Sequence, residues 1–159
     1  TLFRSHLTGS HVLPALIRRF HEAQESGATS VTCWGSGTPL REFLHADDLG
    51  EACVFALERW SALARDAPKD DRGAPLAFLN VGTGVDLSIR ELAEQVAKTI
   101  GYDGTIHWDT SKPDGTPKKQ LNVDRLSRLG WRAQLSLCEG LTLAYKDFLK
   151  NLKEGNLRR

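Results

Sequence analysis

From position 12 onward apolar residues recur at steps of three and four. Val12, Leu13, Leu16, Ile17, Phe20 and Ala23 form one face, with Arg18, Arg19, Glu22 and Glu25 on the other. This spacing predicts an amphipathic helix. Ser10 is placed to cap it, Pro14 falls in its first turn and Gly27 ends it. A short strand follows over Val31 to Trp34 and runs into Gly35 and Gly37. A second strand is predicted over Arg41 to His45, with Asp47 or Asp48 as N-cap of a helix burying Leu49, Ala52, Cys53, Ala56, Leu57 and Trp60. Asp48 and Glu51 there approximate a capping box. Arg65 to Pro75 reads as an exposed loop, and Leu76 to Val81 as a third strand closing on Gly82-Thr83-Gly84. Ser88 and Glu91 make a capping box for a helix striped with Ile89, Leu92, Ala93, Val96 and Ile100 and stopped by Gly101. A fourth strand is predicted over Thr105 to Trp108. After the Asp109 to Lys119 loop come a short helix around Leu126 and Leu129, and a last helix through Leu141, Tyr145, Phe148 and Leu152 that Ser136 and Glu139 box. The pattern predicts a mixed α/β fold: a small sheet of about four strands with four or five helices.

Length and charge narrow the classes. A chain of 159 residues has room for one real core. Twenty-one Lys and Arg against twenty Asp and Glu leave a net charge of +1, so no global field draws nucleic acid or a membrane surface, and an anionic ligand needs a local cluster. Cys33, Cys53 and Cys138 lack metal-ligand spacing, as do the five histidines, and free thiols fit a reducing cytoplasm. No apolar run is long enough to span a bilayer and no signal-peptide pattern opens the sequence, so a cytoplasmic location is expected.

The chemical candidates cluster at element ends. The two Gly-x-Gly pairs, Gly35/Gly37 and Gly82/Gly84, lack a third glycine opening a helix, and no Gly-Lys-Ser/Thr follows them, so simple turns are the better reading. His11 combines a titratable imidazole with the positive end of a predicted helix, which makes it an acid/base candidate or a plain surface histidine. Arg19, Trp34, Arg41, Asp114 and Lys119 together offer what a nucleotide diphosphate needs. The cations suit the pyrophosphate, the indole offers a stacking face and the carboxylate accepts from an amine or sugar hydroxyl. For the same residues the competing readings are a surface salt bridge for Arg41, a solvated face for the lysines and a core position for Trp34.

Five segments in order carry a family resemblance: Ser10 to Leu16, Trp34 to Pro39, Arg41-Glu42-Phe43-Leu44-His45 with Asp47-Asp48, Asn80 to Gly84, and Ser111-Lys112-Pro113-Asp114-Gly115-Thr116-Pro117. Together they resemble the C-terminal half of the GDP-L-fucose synthase family of extended short-chain dehydrogenases/reductases, from Ser10 to about Phe148. The resemblance implies NADP(H)-dependent conversion of GDP-4-keto-6-deoxy-D-mannose to GDP-L-fucose, by epimerisation at C3 and C5 and reduction at C4. It implies His11 as the acid/base group of the epimerisations, and Arg19, Trp34, Arg41, Asp114 and Lys119 as contacts to the GDP-sugar.

The sequence also departs from that family. The glycine-rich nucleotide fingerprint, the catalytic serine and Tyr-x-x-x-Lys have no counterpart, since Tyr102 is followed four residues later by Ile106 and Tyr145 by Leu149. The expectation is therefore a GDP-sugar-binding C-terminal domain over 10–154, with a leader of other origin over 1–9, such as a fusion scar, and a frayed tail over 155–159. Such a chain would hold no cofactor of its own, bind a GDP-sugar weakly or not at all, and be inactive alone. Apolar surface left uncovered on it would favour a homo-oligomer, formed by exchange of elements. The competing expectation is an independent small protein that binds a nucleotide sugar or self-associates without catalysis.

Overall fold

A computed structural model describes residues 11–65 and 67–157. The expected leader over 1–9 and the Ser10 cap lie outside the described residues. Five helices and five strands occur among the described residues: α1 (Val12–Ser26), β1 (Ser30–Trp34), β2 (Leu40–Glu42), α2 (Ala46–Arg59), β3 (Asp86–Ser88), α3 (Ile89–Ile100), β4 (Thr105–Asp109), β5 (Lys118–Lys119), α4 (Asp124–Arg128) and α5 (Leu137–Lys153). They form a mixed α/β architecture with two small sheets, one pairing β1 with β4 and one of order β3-β2-β5.

The chain divides into two compact units. One holds the described residues up to Arg41, Leu87–Lys118 and Cys138 onward; the other holds Glu42–Asp86 and Lys119–Leu137. In the first, β1 and β4 run parallel in a register that sets Ser30 opposite Thr105 and Trp34 opposite Asp109. Helix α1 packs on α3 and on β1, and Leu16, Ile17, Phe20, Val31, Cys33, Leu92, Ala93 and Val96 are buried. Phe20 is fully buried, which is worth about 1.5–3 kcal/mol relative to an exposed ring. Its ring centroid lies 5.4 Å from that of Tyr102.

The predicted stops hold where local chemistry dictates them. Gly27 and Gly101 take left-handed C-cap conformations at φ 67° and 85° and donate back into α1 and α3. Ser88 and Glu91 form the full capping box of α3. At the C-terminal end the Gly155 N–H donates to the Leu152 carbonyl and the Asn156 N–H to that of Asn151, and the last two residues of the tail expected over 155–159 lie outside the described residues.

From β2 through the second unit four expectations change. The strand expected over Arg41 to His45 stops at Glu42, because α2 begins at Ala46 and His45 is its N-cap, with Nδ1 accepting from the Asp47 N–H at 3.2 Å. Neither Asp47 nor Asp48 caps. Asp48 is instead buried and accepts the Gln134 and Leu135 N–H groups, both at 3.1 Å. Leu76 to Val81 makes no ladder among the described residues. Its Leu79 and Val81 nonetheless pack against the buried cluster of Ala52, Leu126 and Trp131, so the apolar run marks burial and not strand pairing. Only part of the predicted apolar face of α2 is covered. Ala52 is fully buried while Leu49, Cys53 and Leu57 are exposed.

Candidate functional site

Period-two alternation decides the fate of Trp34. In β1 the side chains of Val31 and Cys33 enter the core, so Thr32 and Trp34 point away from it, and Trp34 is 63% exposed. This removes the core reading of that indole. Over it stand two cations: the Arg19 guanidinium carbon is 5.9 Å from the ring centroid and Lys112 Nζ is 5.8 Å from it. Arg19 is held by its own bond from Nη1 to the Thr32 carbonyl at 2.6 Å. Burial pushes the Cys33 thiol up, and Arg19 nearby partly offsets this.

The turn after Trp34 is tied to the 109–117 loop. Gly35 and Gly37 have φ of 81° and 77°, which place the Ser36 N–H and hydroxyl on one carboxylate. Asp114 Oδ1 accepts the Ser36 N–H at 2.9 Å and Oδ2 accepts the Ser36 hydroxyl at 2.7 Å. These two bonds, the hydroxyl first, hold the Asp114 carboxyl below its ordinary value. A Cβ on Gly35 would collide with Asp114 Oδ1, and one on Gly37 would lie 2.8 Å from the Trp108 ring. Arg90 locks the turn from α3: its Nη2 donates to the Ser36 carbonyl at 2.7 Å while its guanidinium lies 4.6 Å from the Trp108 centroid.

Arg41 is anchored at the far end of the same loop. Its Nη1 donates to the Leu40 and Thr116 carbonyls, each at 2.7 Å. Nε and Nη2 carry no protein acceptor among the described residues, so the fork is fixed with donors still to give. No carboxylate pairs with it among those residues, and the salt-bridge reading falls. His11 sits at the N-cap of α1, exposed, and its side chain makes no cap bond to that helix. Lys119 is exposed on β5 and belongs to the second unit, whereas Arg19, Trp34, Arg41 and Asp114 belong to the first.

Lys112, Ser36 and Arg90 are polar positions the sequence reading did not single out. Ser36 had a signal, as the residue enclosed by two glycines that both need positive φ. Lys112 and Arg90 had none, because their partners lie 78 and 54 residues away from them in the chain.

The glycine turns also bear on a dinucleotide. The space beside Gly35 is filled by Asp114, that beside Gly37 by Trp108, that beside Gly82 by the Glu42 carboxylate and that beside Gly84 by Val123. Glycines that cradle a pyrophosphate keep that space open to the ligand. These four glycine turns are therefore packed by the chain's own side chains and do not present the open cradle that a dinucleotide pyrophosphate takes.

A sequence model of the NAD dependent epimerase/dehydratase family matches residues 3–67. The chain is 51% identical over 146 residues to the GDP-L-fucose synthase of Escherichia coli strain K12, covering 92% of this chain and 44% of that protein. Among solved structures it superposes on a GDP-6-OMe-4-keto-L-xylo-heptose reductase from C. jejuni with a TM-score of 0.79 at 28% identity, covering 92% of this chain and 50% of that one. It superposes on a GDP-L-fucose synthetase from Naegleria fowleri bound to NADP with a TM-score of 0.76 at 25% identity, covering 96% and 44%. The resemblance read from the five segments thus extends over nearly the whole chain, and the chain spans about half the length of the proteins it matches.

Proposed function

We propose that this chain is the GDP-sugar-binding portion of a GDP-L-fucose synthase-type enzyme, which epimerises GDP-4-keto-6-deoxy-D-mannose at C3 and C5 and reduces it at C4. The observation that carries the reading is the convergence of Arg19, Trp34, Asp114 and Arg41 on one turn and one loop, in a chain about half identical to such a synthase. Arg19 and Arg41 bind the diphosphate, each with its guanidinium already oriented by a backbone carbonyl. Trp34 offers the nucleotide or sugar a flat apolar face. Asp114 first organises the turn and accepts a ligand hydroxyl with the lone pairs Ser36 leaves over. Lys119 is the remaining cation of the family pattern.

His11 is the acid/base group in this reading. A C4 ketone acidifies the hydrogens on C3 and C5, so one imidazole can exchange a proton with the enolate at either centre from its own face of the sugar, and inversion of each centre takes a second proton donor or acceptor on the opposite face. The reducing hydride is the chemistry NADP(H) supplies when bound, and its seat belongs to sequence other than these 159 residues. By this account the isolated chain binds substrate weakly and does not turn it over.

Calorimetry of the chain with GDP and GDP-fucose tests the pocket. Micromolar to millimolar binding that Arg41→Ala abolishes supports it, and flat titrations with both ligands sink it. NADPH oxidation by the pure chain in the presence of the keto-sugar would refute the assignment of the cofactor seat elsewhere.

The second reading is self-association, and the uncovered face of α2 favours it. Leu57 is 86% exposed and Leu49, Cys53 and Val54 are exposed beside it, an apolar stripe that a second copy exchanging elements would cover. A single monomer-sized species in size exclusion at high concentration counts against it.

A further inference from the structure

We propose that Lys112 is a further diphosphate-binding residue, acting with Arg19 across the face of Trp34; the inference rests on the nucleotide-sugar reading of this site. Both cations lie within 6 Å of one exposed indole, so the charges can be no farther apart than the sum of their distances to it. Two positive groups beside one exposed ring make a local positive potential, and a doubly charged ligand is drawn to it more strongly than to either cation alone.

The nearest competing partner for Lys112 is accounted for. Asp109, at the end of β4, is occupied by its own turn: Oδ1 accepts the Ser111 N–H at 3.0 Å and the Ser111 hydroxyl at 2.6 Å. Among the described residues no ion pair within 4 Å joins Lys112 to a carboxylate, although its charge is near enough to Asp109 to help hold that carboxyl down after the two Ser111 bonds. Asp109 instead shapes the bend that carries Lys112 back over Trp34, and the Asp114–Ser36 bonds close the other end of the same loop. The loop therefore delivers its lysine to a defined place. A lysine here acts as a point charge, and a diphosphate is the part of a GDP-sugar that a point charge reads.

The experiment is an NMR titration of the 15N-labelled 159-residue chain, following the Trp34 indole N–H, with GDP, inorganic diphosphate and guanosine in turn. Lys112→Gln is expected to weaken GDP and diphosphate about fivefold to tenfold, the scale of one exposed cation on an anion. Guanosine should be unaffected, and Lys112→Arg should restore most of the loss. Lys98→Gln is the control, because Lys98 lies in the last turn of α3, at the opposite end of that helix from Arg90 and the Ser36 turn. Unaltered GDP binding by Lys112→Gln, with binding still lost in Arg41→Ala, overturns the role of Lys112 and leaves the site standing. Equal weakening of GDP and guanosine overturns it as well, since that marks a packing role. No response to GDP in the unsubstituted chain overturns the nucleotide reading and this inference together.

Discussion

Gly37→Ala isolates the wedge that holds the candidate site in shape. Gly37 has φ 77°, and a Cβ there would stand 2.8 Å from two carbons of the Trp108 ring and 3.0 Å from a third. A non-glycine residue in the left-handed region costs roughly 1–2 kcal/mol. Forcing a methyl against a rigid indole that Arg90 holds adds roughly 1–3 kcal/mol. The conformational part is removed by comparison with Gly27→Ala, at φ 67° with nothing within 4 Å of the new Cβ. Urea denaturation followed by circular dichroism should thus show Gly37→Ala less stable than Gly27→Ala by about 1–3 kcal/mol at a common m-value. Ser36 moves with residue 37, so Gly37→Ala should also weaken GDP binding while Gly27→Ala leaves it intact. Equal destabilisation by the two substitutions would refute the argument, since it would mean that Trp108 yields without cost.

Further outcomes follow from the same contacts. Asp48→Ala should cost about 2–4 kcal/mol in urea, because it strips acceptors from two backbone N–H groups at a buried carboxylate; a cost below the scatter of surface substitutions would remove Asp48 from the account. Glu91, Asp109 and Asp114 are all held below their ordinary values, chiefly by bonds from Ser88, Ser111 and Ser36. Their contribution is present above the unfolded values and is lost as pH falls through the lower folded ones. The urea midpoint should therefore drop as the pH falls through and below the ordinary carboxylate range, and less so in Ser36→Ala; an identical drop in that variant contradicts the assignment for Asp114. In the native chain Cys53 and Cys138 are exposed and Cys33 is buried, so a thiol reagent should label two sites promptly and the third only on unfolding. Prompt labelling of Cys33 would show that β1 opens.

Local signals carried the fold as far as their physics reaches. Gly27, Gly101 and the Ser88–Glu91 box are legible because a cap is satisfied within four residues and needs no distant partner. The helical stripes of α1 and α3 are legible because a period of 3.6 survives any arrangement of the neighbours. Trp34, Arg41 and Asp114 stood out by residue type and by the motifs around them. Assembly resolved what those signals left open. A strand exists only where a second strand accepts its hydrogen bonds, so Leu76 to Val81 kept its burial and lost its ladder, and β2 ended at Glu42. Capping of α2 went to His45 because Asp48 found backbone donors 86 and 87 residues away. The exposure of Trp34, the placing of Arg19 and Lys112 over it and the clasp between Ser36 and Asp114 are contacts across tens of residues. No spacing rule encodes them, and it is packing that brings these side chains together.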